Sequence, residues 1–434
     1  VATLCDSYRL LPGKLRDLCI AFNVEHQKGV IDYENIVYSK QLLEYNEHDC
    51  IGLYEVLDSF FEQTGIMSET FASHALKVFR KDFLSEPIWK TSRKIEEFIR
   101  GGYHGGRVEV FKRRNENVNA YDVNSMYPFV MLNDVPTQYV GESRDIKPQY
   151  YGFIDAEVYI PSIYIPCLPV RMEKLYFPTG HIRGVWTSEE LIQAEKLGVK
   201  ILKIYKGYHF RATQLFRGYV EKIYKMKQES VEPTRTIAKY LLNSLYGKFG
   251  QKPLKKVYVS ERESPHGSFP IIQPDGEPSG FSYYERYSHA AYILPHLASS
   301  VTSMARLVLL KGLDEYSYYC DTDSIFTTQS MSVGSKIGEW GLVGIGECEF
   351  IQPKLYRFRG KWKAKGLNRD QPIDDFIRGG VNTYRRSKSI KEAMKDGTPA
   401  KQNVITEKRL GNTKPKRAWD GPNDTRPWML EELK

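Results

Sequence analysis

The stretch Tyr319-Cys320-Asp321-Thr322-Asp323-Ser324-Ile325 sets two carboxylates two residues apart inside an apolar, β-type run. On a regular strand both acids would point to one face. Two carboxylates that close, flanked by apolar side chains, repel each other and lose solvation unless a cation or a sharp hairpin relieves them. A divalent metal is the simplest explanation, although an Asp-x-Asp pair also occurs in turns that carry no chemistry.

A third acid stands far upstream, in Tyr121-Asp122-Val123-Asn124-Ser125-Met126-Tyr127-Pro128. It ends a strand-like run over residues 119–123 and precedes a turn into a helix, from which it can point into a cleft or serve only as a cap. Between the two acid segments lies Lys239-Tyr240-Leu241-Leu242-Asn243-Ser244-Leu245-Tyr246-Gly247. On a helix Lys239, Asn243, Tyr246 and Gly247 share one face that is polar, aromatic and basic. Residues 215–227 and 234–249 both have helical spacing, and Glu232-Pro233 falls in the break between them, which predicts a helical hairpin.

Around this core the organisation is mixed α and β. Residues 11–22 and 42–61 carry apolar positions at helical spacing. The run Arg100-Gly101-Gly102-Tyr103-His104-Gly105-Gly106-Arg107 reads as a joint, its four glycines permitting backbone angles that other residues resist. A helix over 187–197 has Thr187 or Ser188 as its N-cap and Gly198 closing it, and a strand follows at 201–205. Residues 251–280 suggest an inserted β-hairpin or loop. Residues 289–310 read as a helix kinked at Pro295.

With 434 residues, 41% apolar, the chain has material for roughly two to four packed units. No apolar run is long and uninterrupted enough for a bilayer. The cysteines are scattered without a C-x-x-C pair, which argues against a zinc site or a disulfide framework and fits an intracellular, reducing compartment, host cytoplasm or organelle matrix. The first residue is Val1, so the chain reads as a fragment or processed product. Of the net charge of +9, residues 354–434 carry a surplus of 11, with 21 Lys or Arg against 10 Asp or Glu. A basic block interleaved with Tyr356, Trp362, Trp419 and Trp428 suits a polyanion; a solvated basic surface is the bland alternative.

The three segments D-x-x-S-x-Y-P, K-x-x-x-N-S-x-Y-G and Y-x-D-T-D-S, in this order, resemble motifs A, B and C of family B DNA polymerases. Tyr103-His104-Gly105-Gly106 and Lys354-Leu355-Tyr356 resemble the Y-x-G-G linker and K-x-Y motif of the protein-primed branch of phages, linear plasmids and mobile elements. The resemblance implies an α+β, multi-domain right-hand polymerase: palm at 107–132 and 286–365, fingers at 209–250 and thumb at 366–434. Insertions at 133–208 and 251–285 would resemble the two terminal-protein regions. A partial ribonuclease H-like 3′–5′ exonuclease remnant would occupy 1–65, and a connector 66–106.

The implied activity is DNA-directed extension of a 3′-hydroxyl with dNTPs, and the implied cofactor is a pair of Mg²⁺ ions, replaceable by Mn²⁺. Asp122 and Asp323 would hold them, with Asp321 in support and the Val123 carbonyl as a further ligand. Lys239, helped by Arg235 and Lys227, would meet the triphosphate, and Tyr127 and Tyr246 would flank the nascent base pair with Asn243 nearby. Template-primer DNA would be held by Tyr103, Gly105, Gly106, Ser125, Gly247 and Thr322, and by Lys354, Tyr356, Lys363 and Lys365, whose alternation on a strand would point them to one side. A terminal protein is the implied primer.

Tyr45 and Asp49 resemble the third exonuclease motif. The other acids of a proofreading site are not supplied, so this chain is expected to show negligible nuclease activity. The alternatives are an RNA-primed family B polymerase and a catalytically inactive nucleic-acid-binding protein of the same fold. A reverse transcriptase fits less well, because Thr322 separates the two acids.

Overall fold

The computed structural model of the chain describes all residues except 1–5, 30–37, 85, 274–275, 289, 369, 387, 389–391, 394–403, 412–413 and 434. Its centre is a seven-stranded antiparallel sheet. In spatial order the strands are Val108–Val110, Ser317–Asp321, Ser324–Thr327, Arg114–Val123, Trp340–Gln352, Leu355–Phe358 and Lys361–Ala364. Both acid segments therefore meet on adjacent strands although some 200 residues separate them.

The helices are α1 (Leu15–Phe22), α2 (Lys40–Thr64), α3 (Phe71–Asp82), α4 (Arg93–Gly101), α5 (Met126–Val130), α6 (Ser188–Lys196), α7 (Arg217–Glu229), α8 (Thr234–Phe249) and α9 (Pro295–Leu310), followed by shorter ones near the C-terminus. The expected helical hairpin is α7 and α8, joined where Tyr219 Oη donates to the Leu241 carbonyl at 2.8 Å. Phe79 of α3 packs against Phe216, Tyr219 and Phe249. The N-terminal helices thus share one apolar core with α7, α8 and α9. Among the described residues before α4 there is no strand, so the sheet of a ribonuclease H-like remnant is not seen there.

Pro295 does not kink a longer helix. It begins one, as the first residue of α9, because a proline lacks only a backbone donor that the first turn leaves unused. The residue from which the expected helix began, His289, lies outside the described residues. The Thr187 cap is present as a reciprocal pair with Glu190 at the start of α6.

The segment after α5 forms its own four-stranded sheet, ordered Val135–Ser143, Lys200–Thr213, Tyr151–Ile160 and Gly180–Thr187, around Trp186, Ile154 and Leu191. Leu254–Ser260, Phe269–Ile272 and Pro278–Tyr287 form a three-stranded sheet rather than a simple hairpin. Near the C-terminus Asn382–Arg386 pairs with Val404–Lys408. The last described segment leaves that hairpin and returns to the central sheet: the Arg113 N–H donates to Asn423 O at 2.9 Å, and Thr425 Oγ1 donates to Phe111 O at 2.7 Å.

Candidate active site

Asp122 lies opposite Ser324 in the register between Arg114–Val123 and Ser324–Thr327, and the Val123 N–H donates to Asp323 O at 2.8 Å. Asp122 and Asp323 are thereby brought to one place. Burial, then the charge of Asp323, pushes the Asp122 carboxyl up to about 6. Asp323 is also raised, by burial first, with Asp321 adding to it and Lys354 opposing. Two partly buried carboxylates facing each other make a site that a divalent cation would neutralise.

Asp321 does not share a strand face with Asp323. Thr322 between them has φ +65, and the Asp323 N–H turns back onto Asp321 O at 2.7 Å, so the acids straddle the tip of a hairpin. A β-branched residue in the left-handed region is strained, and the turn is held from outside. Thr322 N–H donates to Arg107 O at 2.8 Å. A Cβ on Gly106 would stand 2.9 Å from both Thr322 Oγ1 and Thr322 Cγ2. Gly106 is therefore needed for close approach rather than for an unusual angle, and so is Gly102, which faces Val185 O, 2.7 Å from where a Cβ would be; Gly105 has open space around it. Ser125 and Lys354, also at the site, are two more non-glycine residues at positive φ.

The Lys354 ammonium bonds both Asp321 oxygens at 2.8 and 2.9 Å, and Tyr319 Oη donates to the same carboxylate at 3.2 Å. The expected alternation of Lys354 and Tyr356 along a strand fails, because Lys354 occupies the left-handed turn before Leu355–Phe358. Tyr356 packs among Tyr319, Phe326 and Phe350. Lys363 lies across from Tyr356 and is exposed; Lys365 follows the strand, its N–H donating to Lys354 O at 3.1 Å.

Above the acids, α8 turns Arg235, Lys239, Asn243 and Gly247 to solvent while Leu241, Leu242 and Leu245 enter the core. Lys227 of α7 joins them: burial, then Lys239 and Arg235, lowers its pKa, and its Nζ donates to Ser125 Oγ at 3.2 Å. Tyr127 and Tyr246 stack at 4.4 Å with an interplanar angle of 18°. Tyr103 lies under the end of α8, where a Cβ on Gly250 would be 2.4 Å from its hydroxyl. Tyr45 and Asp49 stand apart from this group, both bonded by Lys28.

Two residues that hold the site together carried only a faint signal. Arg306, 4% exposed on α9, donates to the carbonyls of His104 and Gly105 at 2.6 and 2.9 Å and pairs with Glu190 at 2.7 Å. A lone arginine in an apolar helix, and the glutamate of a capping box, were the available hints. Lys28 had none, since its partners lie on α2, at least 17 residues away.

Facing acids on an antiparallel sheet, with a basic and aromatic helix pair over them, define the class: a right-hand type B polymerase fold. The chain aligns with "Phi29 DNA polymerase complexed with primer-template DNA and incoming nucleotide substrates" at a TM-score of 0.72, covering 94% of this chain and 80% of that one at 20% identity. Residues 37–269, more than half of the chain, match the family "DNA polymerase type B, organellar and viral", and the chain belongs to that family. A probable DNA polymerase of Podospora anserina is 28% identical over 86% of this chain, and the DNA-directed DNA polymerase of Enterobacteria phage PRD1 is 27% identical over 81%. The chain spans 39% of the fungal relative's length and 65% of the phage relative's.

Proposed function

We propose that this chain is the polymerising part of a DNA-directed DNA polymerase, extending a 3′-hydroxyl with deoxynucleotides and starting from a terminal protein. The observation that carries the reading is the meeting of Asp122 and Asp323 beneath the cations of α7 and α8. The raised pKa of Asp122 supports a bound cation, because deprotonating both acids without one is unfavourable. Two divalent ions, Mg²⁺ or Mn²⁺, on Asp122, Asp323 and the Val123 carbonyl would activate the attacking hydroxyl and neutralise the leaving pyrophosphate.

The chain's own residues do the rest by position and charge. Lys227, Arg235 and Lys239 receive the triphosphate, as point charges and a planar fork. Tyr127, backed by Tyr246, lies under the sugar and selects against a 2′-hydroxyl. Lys354 fixes the Asp321 carboxylate and so holds one side of the hairpin that presents Asp323. Template-primer DNA runs over the basic C-terminal part, with 209–250 as fingers and 366–408 as the thumb-side element. A reducing compartment suits the free cysteines.

Primer extension with dNTPs and Mg²⁺ tests the reading. Asp323→Ala should lose extension, and equal extension by both proteins would sink it. Protein priming is tested separately, by transfer of labelled dNMP to a protein hydroxyl in the presence of the cognate terminal protein; initiation from a free oligonucleotide alone would restrict the proposal to extension.

A further inference from the structure

The tip of the hairpin that presents Asp323 hangs on one carbonyl. Thr322, at φ +65, donates its N–H to Arg107 O at 2.8 Å. The strand that follows, Val108–Val110, pairs with Ser317–Asp321, Val108 opposite Asp321 and Glu109 opposite Cys320. Whatever fixes residues 107–109 therefore fixes where the hairpin ends.

Arg107 is 2% exposed and Glu109 is wholly buried. Arg107 Nε donates to Glu109 Oε2 at 2.7 Å. On its other side Arg107 Nη1 donates to Pro166 O at 2.7 Å, and the guanidinium lies 4.1 Å over the ring of Phe177, itself buried. Pro166 and Phe177 belong to the segment 133–208, and Pro166 directly precedes Cys167 and Leu168 of that segment's own core. An ion pair alone would need neither of these contacts, and the charge of Glu109 acts on Lys416 and Arg417 as well. The contacts to Pro166 and Phe177 are an additional constraint. A planar fork reaches an acid and a carbonyl at once while its face stacks on a ring, which a lysine cannot reproduce.

We infer that Arg107 is a positioning residue through which the segment 133–208 holds the catalytic hairpin, so that the placement of Asp323 depends on contacts made to Pro166 and Phe177. The inference deepens the polymerase reading and rests on it only for turnover.

The test compares the wild-type chain with Arg107→Lys, which keeps a charge beside Glu109 but not the fork, and with Phe177→Leu, which leaves the ion pair intact. Well below the melting temperature, deuterium exchange of the peptide spanning 319–325 should quicken about tenfold in Arg107→Lys, while a peptide from α8 exchanges as in the wild type. Mn²⁺ binding read by calorimetry should weaken about tenfold, and on a primed template with Mg²⁺ kcat should fall about tenfold with the KM for dNTP unchanged. Adding Thr322→Gly to Arg107→Lys should restore part of kcat, since glycine takes a left-handed turn without outside support. If Arg107→Lys does not fold, Phe177→Leu is read in the same way, with smaller changes of the same sign. A folded variant that melts lower than the wild type but keeps its hairpin exchange and its Mn²⁺ affinity would overturn the inference and leave only a structural ion pair. Failure of the wild type to extend a primer would count against the polymerase reading alone, because exchange and the metal titration still decide the role of Arg107.

Discussion

At Asp122 the environment decides both chemistry and stability. Its ordinary value of 3.8 is raised to about 6 by burial and by Asp323. A raised folded pKa means that the group's stabilising contribution is fully present below the unfolded value and is lost as pH rises through about 6. In metal-free protein at pH 7.5, Asp122→Asn is therefore expected to raise Tm while abolishing extension, and Mn²⁺ should stabilise the wild type only. Metal affinity should weaken as pH falls below about 6, which calorimetry with Mn²⁺ at pH 5 and 7.5 would read. Asp323→Ala should lower extension by more than about a hundredfold, beyond the 10–100-fold usual for residues behind the ligands. For Tyr127, stacked on Tyr246 at 4.4 Å, replacement by Val should raise ribonucleotide incorporation; an unchanged ratio of dNTP to rNTP use would remove it from sugar selection.

At the scale of elements, the hairpin carrying Asp321 and Asp323 depends on the glycine linker pressed against it. Gly106→Ala would put a methyl group 2.9 Å from Thr322 Oγ1, too close for contact without displacement. Turnover is expected to fall with little change in melting temperature, and Thr322→Ala in the same chain should restore part of it. Unaltered turnover in the single variant would show that the hairpin yields freely. This interlock was invisible in the sequence, where the glycines read as a flexible joint. The helix α8 was the opposite case: its polar and basic face followed from 3.6-residue periodicity alone, because Leu241, Leu242 and Leu245 fix which side is buried.

Across the molecule, Arg306 ties three regions together: α9, the linker carbonyls and α6 beside the four-stranded sheet. Breaking a buried pair by removing one partner costs roughly 3–5 kcal/mol, so Arg306→Leu and Glu190→Gln should each lower stability markedly in denaturant titration. Reducing the pair to one partner also frees the linker. Extension by folded Arg306→Leu protein should therefore fall at temperatures well below its melting point. The C-terminal segment is likewise a whole-molecule matter. The resemblance implied a thumb over 366–434; within it, residues 414–433 pack on the central sheet and the four-stranded sheet through Arg113, Thr179 and Tyr164.

What the sequence determined by itself was local: the three acids, the aromatic pair, the basic face of α8 and the cap at Thr187. Each depends on side-chain type and short-range periodicity, which the chain carries in every conformation. What only the tertiary structure decided was which of these groups share a volume. It set Asp321 on Lys354 and left Asp323 facing Asp122, because a left-handed Thr322 splits a pair that a regular strand would have aligned. It also buried Arg306 with Glu190, since contacts between residues more than a hundred positions apart follow from packing and leave no periodic trace.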